Sequence, residues 1–328
     1  MREALYWEPG DSGRVHCLLC PNDCRIAEGK AGTCGVRENH GNRLELPYYG
    51  AISSIAVDPI EKKPLYHFHP GSRILSVGFV GCSFRCGFCQ NWHISQSIDV
   101  ETRYISPEDL VMTAVRERSF AIAYTYSEPL VHFEYVLDSA KLARKAGLKN
   151  VLVTNGYLNP QPADELLPFV DAANVDLKAW DPEFYRHETG GKLEEVKRFI
   201  TEAAGRIHLE VTTLIIPTKN DDPAQIEGIA RFIAGLDPGI PLHLSAYHPQ
   251  HKYTLPPTPP GTVHRLAEVA RKHLKHVYVG NLGAESSDTV CGECGNVLVR
   301  RVGWHVEVSG IKAGKCAKCG AKSPIVGA

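Results

Sequence analysis

The run FVGCSFRCGFCQNW sets three cysteines, Cys82, Cys86 and Cys89, at a C-x3-C-x2-C spacing. Thiolates are soft metal ligands, and a cubane iron–sulfur cluster ordinarily takes four of them from the protein. Three thiolates hold three irons of a [4Fe–4S] cluster and leave the fourth iron open to a small molecule. A closed structural zinc site requires a fourth ligand. The preceding segment ILSVGFVG, Ile74 to Gly81, reads as a buried strand ending in glycine. That places the cysteines on a loop at the C-terminal end of a strand, where sites form in parallel α/β folds.

The other eight of the eleven cysteines fall into two sets of four: Cys17, Cys20, Cys24 and Cys34, and Cys291, Cys294, Cys316 and Cys319. Two closed four-ligand sites and one open cluster require this partition. In the C-terminal set, two C-x2-C knuckles are separated by 21 residues, and each is followed by a glycine, Gly295 or Gly320, that lets the loop curl its amides toward sulfur. The pattern fits tetrahedral zinc, with rubredoxin-like iron as the alternative of the same geometry, folding a tail too small for its own core. The N-terminal C-x2-C-x3-C-x9-C set is less stereotyped and is open to Zn2+ or to an auxiliary Fe–S cluster. His16, just before Cys17, reads as a neighbour of that site rather than a ligand.

These cysteines need a scaffold, and the chain supplies one by alternation. Apolar, β-branched runs occur at 74–80, 120–125, 150–154, 173–177, 207–216, 241–246 and 276–280. Segments of helical period lie between them, at 107–118, 130–146, 162–169, 192–204, 223–235 and 261–274. Ser106-Pro107 predicts a helix start, and Gly147 a helix end. Such repetition predicts a parallel sheet with right-handed crossovers. About six units fall short of the eight that close a full barrel. The expected fold is therefore α/β, a partial (β/α)6 barrel open on one side, with small four-cysteine metal-binding modules at both ends. The expected organisation is an N-terminal four-cysteine module over 1–50, the barrel over 51–280, and a zinc-ribbon or rubredoxin-like module over 281–328. The C-terminal stretch NVLVRRVGWHVEV predicts a β-hairpin.

Lys and Arg number 36 against 37 Asp and Glu, for a net charge of −1, and no block of like charge occurs. Bulk electrostatics gives no support to a nucleic-acid or anionic-membrane partner. No stretch reaches the length of a membrane span, and MREALYWEPGDSGRVHC has no apolar signal core. The expected compartment is the cytoplasm, where disulfides are disfavoured and cysteine clusters point to metal.

Cys82-x3-Cys86-x-Phe88-Cys89, with its aromatic residue before the third cysteine, resembles the signature of the radical S-adenosylmethionine (SAM) enzymes. CLLCPNDCRIAEGKAGTCGVREN, DPIEKKPLYHFHPGSRILSVGFVGCSFRCGFCQNW and the terminal double C-x2-C extend the resemblance over the whole chain. It is to the AmmeMemoRadiSam-system branch, homologues of the pyruvate formate-lyase activating enzymes. The activases do not ordinarily carry both cysteine modules. The resemblance implies that the amino and carboxylate groups of SAM chelate the open iron. It implies that the reduced cluster passes one electron to SAM, giving methionine and a 5′-deoxyadenosyl radical that takes a hydrogen atom from a substrate. An electron donor such as a flavodoxin or ferredoxin would serve it.

The resemblance also carries residues. Ser127-Glu128 in TYSEPL stands where the activases have a Gly-Gly-Glu-Pro that meets the SAM amino group. Asn155-Gly156 in VTNGY stands where they bind the sulfonium side and ribose. Asp176 and Lys178 in VDLKAW match their Asp-Leu-Lys, and His248 in SAYHP matches a histidine near the ribose. The implied reaction is hydrogen abstraction from a small molecule or a protein residue. The alternatives are activation of a glycyl-radical enzyme and, from another class, a non-enzymatic zinc or iron–sulfur carrier. His67 and His69, shortly before the cluster strand, are further candidates to face the site.

Overall fold

Runs such as AIAYT, at 121–125, are buried along their whole length, as strands are when helices cover a parallel sheet. They assemble into one eight-stranded sheet in a computed structural model that describes residues 2–283 and 287–328. In spatial order, which is also chain order, the strands are β1 (Ser54–Pro59), β2 (Arg73–Gly78), β3 (Ala121–Thr125), β4 (Lys149–Thr154), β5 (Ala172–Asp176), β6 (His208–Ile215), β7 (Leu242–Ala246) and β8 (Val277–Gly280). From β2 to β8 every pairing is parallel. Six β–α units lead from β2 to β8, through α1 (Pro107–Arg116), α2 (Phe133–Lys145), α3 (Pro160–Leu166), α4 (Leu193–Ala203), α5 (Pro223–Leu236) and α6 (Pro260–Arg271). The sheet ends at β1 and β8 without closing, which is the expected partial barrel. The antiparallel edge strand β1 was not foreseen, because SIAVDP is short and half polar, and its order comes from pairing with β2.

The helix boundaries follow local chemistry. Ser106 Oγ accepts from the Asp109 amide at 3.0 Å, and Pro107 begins α1. Gly147, at φ +77°, takes the left-handed position beyond α2.

Strand alternation gives the barrel two different faces. Outward residues such as Val77, Tyr124 and Val211 share a core with Leu110 of α1, Val136 of α2 and Ile229 of α5. The inward face is small and polar: Ser76, Ala121, Ala123, Asn174, Glu210 and Thr212 lie along it. Its floor is the 60–72 loop, whose Ile60, Leu65 and Phe68 pack on Ile74, Ala121 and Ala123. Glu210 ties that floor down. It accepts from the amides of Tyr66 and His67 at 3.0 and 2.7 Å, and meets His208 Nε2 and His243 Nε2 at 3.0 and 2.6 Å. His67 and His69 therefore belong to the floor, at the opposite end of β2 from the cysteine loop. The sequence shows only their proximity to β2, and the chain reaches that strand's start, not its end.

The first fifty residues form short strands and turns whose Val15, Leu19, Ile26 and Leu44 are buried in the same core as the barrel. A buried ion pair joins them to α2: Arg37 Nη1 donates to Glu134 Oε2 at 2.8 Å, with both side chains 1% exposed. Removing one partner of such a pair costs about 3–5 kcal/mol. At the other end, Val297–Val302 and His305–Glu307 make the expected hairpin. Leu298, Val299 and Ile325 form a small core of their own with Cys291 and Cys316. Buried Arg301 ties the hairpin to the floor by donating to Thr289 Oγ1 at 2.8 Å and to the Tyr66 carbonyl at 2.5 Å.

Buried titratable groups at both ends of the barrel make stability depend on acidity. Burial holds His67 well below its usual range and, at the opposite end of the barrel beside the Val80 carbonyl, lowers His132 to about 4. Burial works to raise the Glu210 carboxyl, but hydrogen bonds from His208 and His243 outweigh it and keep it well below the carboxylate range. All three groups bind more protons unfolded than folded. Their stabilisation is complete above the unfolded values, about 6.5 for histidine and 4.3 for glutamate, and is lost as pH falls below them. The melting temperature is expected to fall as pH drops from about 7 toward 4, and His67→Phe to flatten the part just below about 6.5. A melting temperature indifferent to pH in both proteins would contradict this arrangement.

Candidate active site

After β2 the chain passes through Gly81 into the cysteine loop. Gly81 sits at φ +80°, and a Cβ there would lie 2.4 Å from the Cys34 carbonyl oxygen, so only glycine lets the loop meet the N-terminal segment. Cys86 is buried, and Cys82 and Cys89 are half-buried. The Phe84 amide donates to Cys82 Sγ at 3.3 Å, Asn155 Nδ2 lies 3.7 Å from the same sulfur, and Ser95 Oγ is 3.1 Å from Cys89 Sγ. Burial pushes the Cys86 thiol up to about 12, against the pull of the Lys178 ammonium, and pushes Cys82 well above its usual value. Thiols so placed ionise when a metal takes the proton's place. Phe88 is buried beside them, its ring centroid 5.9 Å from Phe184 and 5.6 Å from Tyr253.

The residues at neighbouring strand ends converge on this loop. Glu128 is buried, and its carboxylate accepts from the Leu130 amide at 3.0 Å, Thr154 Oγ1 at 2.7 Å and the Asn155 amide at 2.8 Å. Burial nevertheless raises it to about 7. Asn155 continues the chain of contacts, donating from Nδ2 to Ser83 Oγ at 3.0 Å. Lys178 Nζ meets Asp176 Oδ2 at 3.0 Å. Ser127 Oγ is buried with no hydrogen-bond partner, as are the inward hydroxyls of Ser76 and Thr212. Two expected residues stand apart. Gly156, at φ +67°, has its missing Cβ 2.9 Å from the Phe199 ring, so glycine there satisfies packing. His248 lies exposed at the rim, its Nε2 3.2 Å from the Asn281 carbonyl. Sequence reasoning missed Ser95 and the buried chain from Tyr126 hydroxyl to Asp58 to Lys63 Nζ, the latter pair at 2.7 Å. No spacing links those positions.

The C-terminal four cysteines form a different kind of site. Among the described residues, only this set brings three or more cysteine, histidine or acidic donor atoms all within 4.8 Å of one another. Cys291 and Cys319 sulfurs are 3.7 Å apart, as are those of Cys294 and Cys316. Metal–sulfur bonds of about 2.3 Å at tetrahedral angles give an edge of about 3.8 Å, so these donors fit one tetrahedral ion. The Gly295 and Gly320 amides close each knuckle on the Cys291 and Cys316 carbonyls, both at 2.9 Å. In the N-terminal set, His16 is no ligand: its ring nitrogens are taken by Glu8 and Asp23.

The sequence model of the Radical SAM superfamily matches residues 76–233, which contain the cysteine triad. An uncharacterized protein of Methanocaldococcus jannaschii is 40% identical over 99% of this chain and 100% of its own length. The chain belongs to the radical SAM superfamily. It is thus an enzyme of a family that works with a [4Fe–4S] cluster and SAM. This radical SAM enzyme is also homologous to the pyruvate formate-lyase 1-activating enzyme of Escherichia coli, 24% identical over 56% of this chain and 77% of that protein. A radical SAM methyltransferase from Sphaerobacter thermophilus shares the fold, with a TM-score of 0.53 and 19% identity over 66% of this chain and 68% of that one. So does SuiB of Streptococcus suis bound to S-adenosylmethionine, at 0.51 and 13% over 67% of this chain and 52% of that one. No helix among the described residues is long and apolar enough to cross a membrane.

Proposed function

We propose that Cys82, Cys86 and Cys89 would hold the catalytic cubane with SAM beside it, and that the radical formed when SAM is reductively cleaved would take a hydrogen atom from a substrate at this end of the barrel. The observation that carries this reading is the three-thiol set at the end of β2, touched by Asn155 and backed by Glu128. When bound, the reduced cluster supplies the electron that splits SAM into methionine and a 5′-deoxyadenosyl radical. The chain's own residues bind and orient. Glu128 fixes the loops after β3 and β4 against each other, and an ammonium bound beside it would favour its ionised form. Ser127 Oγ, lacking any partner, is free to meet the same ligand. Asn155 and Gly156 shape the sulfonium and ribose side, with His248 at the rim. Asp176 and Lys178 form a fixed pair near Cys86, and Phe88 walls the cluster. The unpartnered hydroxyl of Thr212 suits a polar substrate, since a buried hydroxyl without a partner costs about 1–3 kcal/mol. A flavodoxin- or ferredoxin-type donor would reduce the cluster.

A second reading, activation of a glycyl-radical enzyme, draws on the homology to activating enzymes. That homology spans 56% of the chain for the Escherichia coli protein, whereas the Methanocaldococcus jannaschii likeness spans 99%. We therefore favour a different substrate. A glycyl-radical signal raised on a partner protein would decide for the activase. At the C-terminal site, we assign zinc with a structural role.

Each of Cys82→Ala, Cys86→Ala and Cys89→Ala is expected to abolish reductive SAM cleavage by the anaerobically reconstituted protein; turnover retained in any one would remove the assignment. Glu128→Ala is expected to weaken SAM binding about tenfold, corresponding to about 1.4 kcal/mol, with cluster iron unchanged. Calorimetry showing equal affinity would exclude that role. Aerobically purified protein should carry zinc that is lost with Cys291→Ser and Cys294→Ser, and iron in its place would contradict the zinc assignment.

A further inference from the structure

We propose that Tyr126 is a positioning residue for SAM: its side chain, anchored through Asp58 to Lys63, holds the backbone of residue 126 in a strained turn that presents Ser127 and Glu128 to the ligand. The inference rests on the reading of the triad and of Glu128 as the SAM site.

The backbone leaves its ordinary range at this residue. Strand β3 ends at Thr125, and Tyr126 follows at φ +70°, a region that an L side chain enters only against steric resistance. The Ser127 amide donates to the Thr125 carbonyl at 2.9 Å, across Tyr126. A positive φ under such a hydrogen bond is the pattern of the rare, strained form of the γ-turn. Glycine would take this conformation without strain, so a tyrosine here needs something to hold it. Strain of this kind persists where the surroundings over-determine it, and it clusters at ligand sites.

The surroundings act from two sides. Asn91, two residues beyond Cys89, donates from Nδ2 to the Tyr126 carbonyl at 2.6 Å. The Tyr126 hydroxyl donates to Asp58 Oδ2. Asp58 is fixed in turn by Lys63 Nζ at 2.7 Å and Lys62 Nζ at 3.0 Å. Burial works to raise the Asp58 carboxyl, but these hydrogen bonds outweigh it and hold it below the carboxylate range. The phenol therefore bonds an anion, a stronger acceptor than a neutral group. The Lys63 side chain is 2% exposed, and its ammonium lies 4.4 Å from the Tyr126 ring centroid, which adds a cation–π contact. Gly78 makes room for the ring, since a Cβ there would stand 2.8 Å from Tyr126 Cδ2.

The anchor also gives a purpose to edge strand β1, which carries Asp58, and to the start of the floor loop, which carries Lys62 and Lys63. Residues 127 and 128 leave the turn from a fixed point. Ser127 Oγ has no partner, and the Glu128 carboxylate bonds the Leu130 and Asn155 amides. A site held in its bound shape before the ligand arrives binds that ligand more tightly.

The test is the SAM affinity of the anaerobically reconstituted full chain, measured by calorimetry beside iron content and melting temperature, for Tyr126→Phe, Tyr126→Ala and Tyr126→Gly. Phenylalanine keeps the ring and loses the anchor. Alanine loses both and keeps the steric resistance, whereas glycine loses that resistance too. Tyr126→Ala is expected to bind SAM about tenfold more weakly than wild type, and Tyr126→Gly to regain about threefold of that loss. Tyr126→Phe is expected to bind more weakly than wild type, with cluster iron unchanged in all three. Were the ring only packing, or the phenol itself a SAM contact, glycine would bind no better than alanine; that result, with wild type binding SAM, would overturn this proposal alone. Equal affinity in wild type and Tyr126→Phe would do the same. Alanine and glycine delete the same ring and hydroxyl contacts, so their difference decides even if both proteins are less stable. Wild type that binds no SAM would remove the underlying reading together with this one.

Discussion

Desolvated sulfur at the end of a parallel strand is the constraint on which the molecule is organised. Cys82 and Cys86 are packed so tightly that the proton is favoured over the free thiolate, and only bound metal reverses that preference. Two cysteines of the triad are held by contacts from other elements: Cys82 by Asn155 from the end of β4 and Cys89 by Ser95 from the one-turn helix Trp92–Ser95. The loop has little freedom of its own. Gly81 brings it against the Cys34 carbonyl, and Asn22 fixes the Ser83 carbonyl.

The rest of the fold serves that end of the barrel by closing the other. The apolar plug of Ile60, Leu65 and Phe68 and the Glu210 network seal the floor, the end opposite the cysteine loop. Arg301 carries the C-terminal hairpin onto the same floor, while Arg37 and Glu134 carry the N-terminal strands onto α2. The two terminal cysteine sets thus sit at different ends of the barrel. One abuts the loop of Cys82, Cys86 and Cys89; the other braces the floor.

Much of this was legible from residues alone. The seven parallel strands, six crossover helices and terminal hairpin follow from apolar period and from caps such as Ser106 and Gly147, since those signals are local. The 3.7 Å sulfur spacings at the C-terminus were implicit in two C-x2-C knuckles, each closed by glycine. What sequence could not supply was long-range: which end of the barrel received His67 and His69, and that β1 would pair with β2. Nor did it give the Tyr126–Asp58–Lys63 chain. Gly156 reads as functional by its resemblance alone, and the Phe199 ring accounts for its lack of a side chain by packing. The N-terminal spacing was compatible with either metal, because the distance between donors is set by tertiary packing and not by their order.

The central claim is that SAM binds the cluster at an iron no side chain ligates. Electron–nuclear double resonance on the reduced protein, with SAM labelled at its amino nitrogen and carboxylate oxygen, addresses it directly. The account predicts hyperfine coupling of both labels to the cluster electron spin. A reduced cubane at the triad with SAM bound and neither label coupled would contradict it.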